Sequence, residues 1–174
     1  LFTALGTIFG VGGASCISRA LGGGDHERAN HVSSFCFWAA LSVGAAGSVC
    51  FLTLTGPMLT LLGASDATRA GAGEYLRIVA ISAPFILLSG SFQHILRAEG
   101  RPALAVAGMI GGNLLNIVLD PVLILAAGLG VAGAAWATAI ANILGGLVYL
   151  VYLLSDRFSL SISPRAFRLG GGVA

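Results

Sequence analysis

The chain has 174 residues, of which 56% are hydrophobic and only 9% charged, with a formal net charge of +2 and a mean hydropathy of +0.93. Soluble domains carry about 25% charged residues, so a chain this poor in charge cannot face water all round, which excludes an ordinary soluble domain. All nine basic residues are Arg, with no basic block and no basic stripe interleaved with aromatics, so nothing suggests a nucleic-acid partner.

A spanning helix needs roughly 20 mostly apolar residues. Five such helices fit the chain, at 1–18, 31–55, 71–96, 102–127 and 131–154. The first opens apolar at Leu1 without a basic leader segment, so no secretory signal is read there. It contains Gly6 and Gly10, and the fourth contains Gly108 and Gly112; both pairs have the spacing of small residues that lets membrane helices approach closely. The second runs into Gly56-Pro57, after which Met58 to Leu62 is predicted to form a short interfacial turn. Pro84 lies within the third span, where a missing backbone donor predicts a kink. The cysteines, Cys16, Cys36 and Cys50, stand singly in apolar stretches and read as buried small hydrophobes rather than metal ligands or a disulfide framework. The closing run Gly170-Gly171-Gly172-Val173-Ala174 reads as the lead into further chain, so a fragment of a longer protein is expected.

The charges sort by connection. Arg19 and Arg28 flank the first, Arg97 and Arg101 the third, and Arg157, Arg165 and Arg168 follow the last span; only Arg69 and Arg77 fall at the other end. The excess of positive charge predicts that connections one and three and the tail are cytoplasmic. Arg19, Arg97 and Arg101 then read as headgroup anchors, with Asp25, Glu27 and Glu99 paired to them or to helix N-termini. Asp66 and Glu74 read as surface charges on the outer side.

Against this apolar background Asp120 stands out, set in a long lipophilic run and followed by Pro121. A carboxylate at membrane depth is expensive and marks an ion or substrate pathway. Asn113, Asn116 and Asp120, at i, i+3 and i+7, share one face of the fourth helix, and Thr138 and Asn142, at i and i+4, form a second polar stripe on the fifth. The two stripes can converge on one pocket, whose carboxylate, amide and hydroxyl oxygens suit a proton or a hard cation such as Na⁺. The alternative is that the amides and the hydroxyl only join helices by hydrogen bonds. Pro121 reads either as a plain kink or as the helix break with which transporters build ion sites.

These residues have a family likeness. Ser18-Arg19-Ala20-Leu21-Gly22, Tyr75-Leu76-Arg77-Ile78, Pro84-Phe85, Leu96-Arg97-Ala98-Glu99-Gly100-Arg101-Pro102, Asn116-Ile117-Val118-Leu119-Asp120-Pro121 and Gly130 to Thr138 occur in an order that resembles the multidrug and toxic compound extrusion (MATE) family over nearly the whole chain. The resemblance implies an all-α polytopic membrane protein, a twelve-helix antiporter of two six-helix lobes, sited in the cell (inner) membrane of a bacterium. Residues 1–156 would be family helices two to six of the amino-terminal lobe, and 157–174 a cytoplasmic segment leading to the second lobe. The resemblance further implies cation or proton coupling at Asp120, Asn116 and Thr138, with Tyr75 at the outer end of family helix four. Asn113 and Asn142 are the further cavity-lining or substrate candidates. Expected substrates are cationic or amphipathic compounds, exchanged for H⁺ or Na⁺. Asp120 would bind the ion when the cavity opens outward, with no cofactor and no metal beyond Na⁺. Expected partners are the bilayer and the rest of the same protein: helix one with its own Asp, and the carboxy-terminal lobe.

Three rival readings exist. A lipid-linked saccharide flippase of the same superfamily would line its cavity with basic residues, and no Arg sits mid-span here. A non-transporting structural subunit is opposed by the clustering of Asn116, Asp120 and Thr138. An intramembrane enzyme finds no support: Gly22-Gly23-Gly24-Asp25 imitates an aspartyl-protease motif, yet Asp25 falls in a charged loop, and His26-Glu27 lacks the second His of a zinc site.

Overall fold

The computed structural model describes residues 2–155 and 160; the tail charges Arg157, Arg165 and Arg168 and the remainder of the expected 157–174 segment lie outside the described residues. The helices are α1 (Phe2–Gly22), α2 (His26–Thr53), α3 (Thr55–Leu61), α4 (Asp66–Ile81), α5 (Ala83–Ala98), α6 (Pro102–Pro121) and α7 (Gly130–Leu153), with a π-helical turn at Val122–Ala126 prolonging α6. Among the described residues four segments are individually long and apolar enough to cross a membrane: Phe2–Gly22, His26–Thr53, Pro102–Ala126 and Gly130–Leu153. Thr68–Ile81 and Ala83–Ala98, bent by 54°, pass the same test only as a pair. The described residues thus hold four candidate spans, or five with the bent pair counted as one, against the five that hydropathy predicts.

Local chemistry explains where the boundaries move. The second span starts at His26 rather than near 31, because the Asp25 carboxylate accepts a hydrogen bond of 2.9 Å from the Arg28 N–H and caps α2. Instead of a kink inside one helix, Pro84 gives a break at Ser82, since a proline is tolerated in the first turn of a new helix, where its missing donor costs nothing. Ser82 is buried there, and its hydroxyl donates to the Val79 carbonyl at 2.8 Å. The turn expected from Met58 to Leu62 is the short helix α3. Pro121 does not break α6; the helix passes through it and widens into the π turn, closed by Ala127 N–H to Val122 O at 2.9 Å.

The connections after α1 and after α5 end alike. Asp25 N–H bonds Ala20 O and Arg101 N–H bonds Leu96 O, both at 2.8 Å, with Gly24 and Gly100 at positive φ before them. This Schellman closure satisfies the last carbonyls of each helix. Both connections belong to the same end of the bundle, where Ile17, Ala29, Phe37, Phe92, Ile95 and Leu153 form one buried cluster. Arg101 pairs there with Glu99 at 3.9 Å and lies over the Tyr152 ring at 5.7 Å.

Lipid supplies no hydrophobic drive between helices, so packing depends on close approach. At the crossing of α1 and α5 a Cβ on Gly6 would lie 3.1 Å from Leu87 O, and one on Gly10 would lie 2.9 Å from Gly90 O. Ser91 Oγ donates to Gly6 O at 3.1 Å across the same seam. The expected role of the Gly6/Gly10 pair is therefore observed.

Candidate functional site

α6 and α7 are held together near the packed end by Tyr149. Its hydroxyl donates to Ala105 O at 2.8 Å, and its ring occupies the space over Gly108, where a Cβ would come within 2.5 Å. Gly112, one turn on, leaves room toward Ala141 of α7. These contacts set the register that puts Asn113 and Asn116 of α6 opposite Thr138 and Asn142 of α7.

The four side chains line one cavity of about 290 Å³, shared with α5 and the start of α1. Thr3, Ser89 and Gln93 add polar groups, and none of the lining residues is charged. The Asn116 amide nitrogen is buried and has no hydrogen-bond partner among the described residues. An unsatisfied buried donor costs about 1–3 kcal/mol, so this amide is an expense that helix packing alone does not explain. A roomy polar cavity can instead hold water or a solute against it.

Asp120 and Tyr75 do not line this cavity. Asp120 continues the face of Asn113 and Asn116 one turn further, about 6 Å along the axis, and is half-buried just before the π turn. The π turn packs on α7 where Gly133 would bring a Cβ within 2.6 Å of Leu123 O. Tyr75, 37% exposed, faces a separate pocket of about 580 Å³ lined by Leu59, Leu62, Leu76 and Val131.

Sequence reasoning missed Gln93, Ser89 and Thr3. The signal for the α5 residues was available: Ile86, Ser89, Gly90 and Gln93 follow the i, i+3, i+4, i+7 pattern of a single face. The cysteine reading needs correction. All three are free, but only Cys36 is buried, with its thiol 3.5 Å from Phe9 O; Cys16 is half-buried and Cys50 exposed. Cys50 sits near the end of α2, beside the exposed Val49 and Leu52.

Fold and site together define a polytopic α-helical membrane bundle enclosing a polar, uncharged cavity. The MatE family model matches residues 1–122, and the chain belongs to that family of transporters. The multidrug export protein MepA of Staphylococcus haemolyticus (strain JCSC1435) is 38% identical over 93% of this chain. The protein of that name from Staphylococcus aureus (strain MSSA476) is 36% identical over 91%. The chain spans 36% and 35% of those two relatives. Among solved structures, a multidrug resistance MATE family transporter of the MOP superfamily is matched over 99% of the chain at 31% identity. The TM-score is 0.90 for its inward-facing conformation and 0.91 for its outward-facing one, with 39% and 38% of those chains covered. A MOP superfamily transporter from Pyrococcus furiosus, whose reversed binding-pocket polarity suggests a different function, also overlays at 0.90 with 31% identity.

Proposed function

We propose that this chain is most of the amino-terminal lobe of a secondary antiporter that exports cationic or amphipathic compounds from a bacterial cell in exchange for H⁺ or Na⁺. It is a transporter and not an enzyme in this reading, and its place is the inner membrane, with connections one and three in the cytoplasm. The observation that carries the proposal is the uncharged cavity of Asn113, Asn116, Thr138 and Asn142, with Asp120 one turn beyond it on the same face. Amides and hydroxyls can bind a cation or a polar solute without the cost of a fixed counter-charge. A carboxylate beside them is the group that can take up or release an ion.

In this mechanism Asp120, Asn116 and Thr138 serve the coupling ion, which is cargo, through oxygen donors. Asn113, Asn142 and Gln93 meet the exported compound. Ion binding at Asp120 in the outward-open state favours release of the compound to the outside. The helix preceding Leu1 and the second lobe of the intact protein complete the pathway. The similar overlay on inward-facing and outward-facing relatives favours a lobe that keeps its shape while the cavity changes access. The flippase reading is weaker because no Arg lines this cavity.

The test is efflux from cells carrying the intact transporter, native against Asp120→Asn at equal membrane abundance. Asn keeps size and hydrogen bonding and removes the ionisable oxygen. Loss of efflux supports the proposal. Efflux unchanged across pH and Na⁺ concentration removes Asp120 from coupling.

A further inference from the structure

A second polar pocket lies on the opposite side of α4 from Tyr75, at the end of the bundle away from the packed loops. It measures about 650 Å³ and is walled by α3, α4 and the first part of α7. Arg69, Gly73 and Arg77 follow one another at i, i+4 and i+8 on its α4 wall, so both arginines border one space. Their backbones are about 12 Å apart along the helix, a separation that two extended Arg side chains can close on one anion. Glu74 lines the same pocket, and Trp136 of α7, 43% exposed, stands opposite.

The two arginines are not equally committed. Arg69 Nη2 donates to Thr60 Oγ1 at 2.8 Å and to Gly56 O at 3.3 Å, which fixes α3 on α4 and leaves its other N–H groups available. The side chains of Arg77 and Glu74 make no hydrogen bond or ion pair to any described residue. Both arginines are exposed, so their free N–H groups can meet an anion at the membrane surface. The surroundings here have a recognisable character. At this end of the bundle Leu61, the last residue of α3, is exposed at 87%, and Leu52 of α2 and Leu54 between α2 and α3 are exposed as well. Exposed leucines beside a Trp and two Arg are the composition of the boundary between acyl chains and headgroups.

We propose that this pocket seats the headgroup of a membrane phospholipid, with its phosphodiester between Arg69 and Arg77 and Trp136 at the glycerol level. Guanidinium groups bind phosphate oxygens through paired, charge-assisted hydrogen bonds. Glu74 would oppose a purely anionic ligand, and it gives the pocket an acceptor for a headgroup ammonium. The fitting ligand is therefore of the phosphatidylethanolamine kind. The site is separate from the polar cavity and does not depend on which compounds are exported. A bound lipid would tie the bent α4 and the short α3 to the bilayer surface.

The experiment is native mass spectrometry of the intact transporter, delipidated and then titrated with phosphatidylethanolamine, comparing native protein with Arg69→Gln/Arg77→Gln, Arg77→Lys and Arg97→Gln. Equal unfolding midpoints before lipid addition establish that each variant is folded; should the double variant fail that check, Arg77→Gln alone replaces it, because the Arg77 side chain makes no hydrogen bond or ion pair to the described residues. The proposal predicts that the glutamine variant retains less lipid by about tenfold, that Arg77→Lys keeps an intermediate share, and that Arg97→Gln, at the far end, binds like the native protein. Unchanged lipid retention in the glutamine variant would overturn it, as would an equal loss in Arg97→Gln. Displacement of the lipid by millimolar inorganic phosphate would also overturn it, assigning the pocket to a free anion.

Discussion

The two ends of this bundle are built differently. At the end of connections one and three, α1, α2, α5 and the tips of α6 and α7 pack into one cluster, with Ile17, Ala29, Leu87, Phe92 and Ile95 at 0% exposure. At the other end Ile78, Ala135 and Ala139 form a small buried group among the described residues, with Thr55 and Leu59 of α3 buried nearby, and the Pro102–Ala126 span, which runs between the two ends, has none of its apolar window buried. The polar cavity lies between these regions, and Asp120, the π turn and Tyr75 lie on the open side. Stability is concentrated where the helices are closest, and polar chemistry where they separate. A lobe built this way can present groups to a moving partner without loosening its own core.

Breaking the packed end should have the largest effect. Gly10→Leu drives a side chain into the Gly90 backbone, which cannot yield as a side-chain tip would; we expect a loss of about 3 kcal/mol or more, read as a lowered unfolding midpoint in detergent or as absent folded protein. Leu114→Ala, on the exposed face of α6, should stay within about 0.5 kcal/mol of native in the same assay. Similar losses in the two would erase the distinction between the ends.

Smaller changes sharpen the comparison at the seam. Gly108→Ala meets the Tyr149 ring and should cost about 1–3 kcal/mol, with part of the cavity lost as the ring is displaced. Tyr149→Phe removes the hydroxyl that donates to Ala105 O and meets the Met109 backbone. Interhelical bonds of this kind in membranes average about 0.6 kcal/mol, so its unfolding midpoint should fall slightly while export persists.

The spans were readable because the bilayer imposes length and apolarity, and the polar stripes because helices repeat with a fixed period. Asn113, Asn116, Thr138 and Asn142 needed nothing more, since their two helices are consecutive and joined by a short connection. Gln93, Ser89 and Thr3 reach the cavity only through the packing of α5 and α1 against those helices, a tertiary relation no local pattern encodes. The break at Ser82 followed from Pro84, but two residues earlier than a kink centred on the ring would fall. Pro121 signalled disturbance without its form: a proline removes one donor, and whether the helix breaks or widens depends on what packs beside it, here Gly133. Asp120 drew attention by its desolvation cost, a sound guide to importance that says nothing of whether the group sits inside a cavity or one turn beyond it.

The most direct measurement of the division between a structural end and a functional cavity is Asn116→Leu in the intact transporter, with unfolding midpoint and drug efflux determined on the same preparation. The Asn116 amide is buried without a partner for its nitrogen, so replacing it should leave stability within about 0.5 kcal/mol of native or raise it. Efflux should fall about tenfold or more, the scale on which a ligand's polar partner acts when lost. A destabilised protein that still exports at the native rate would contradict the account, making Asn116 a packing residue and the cavity a by-product of the fold.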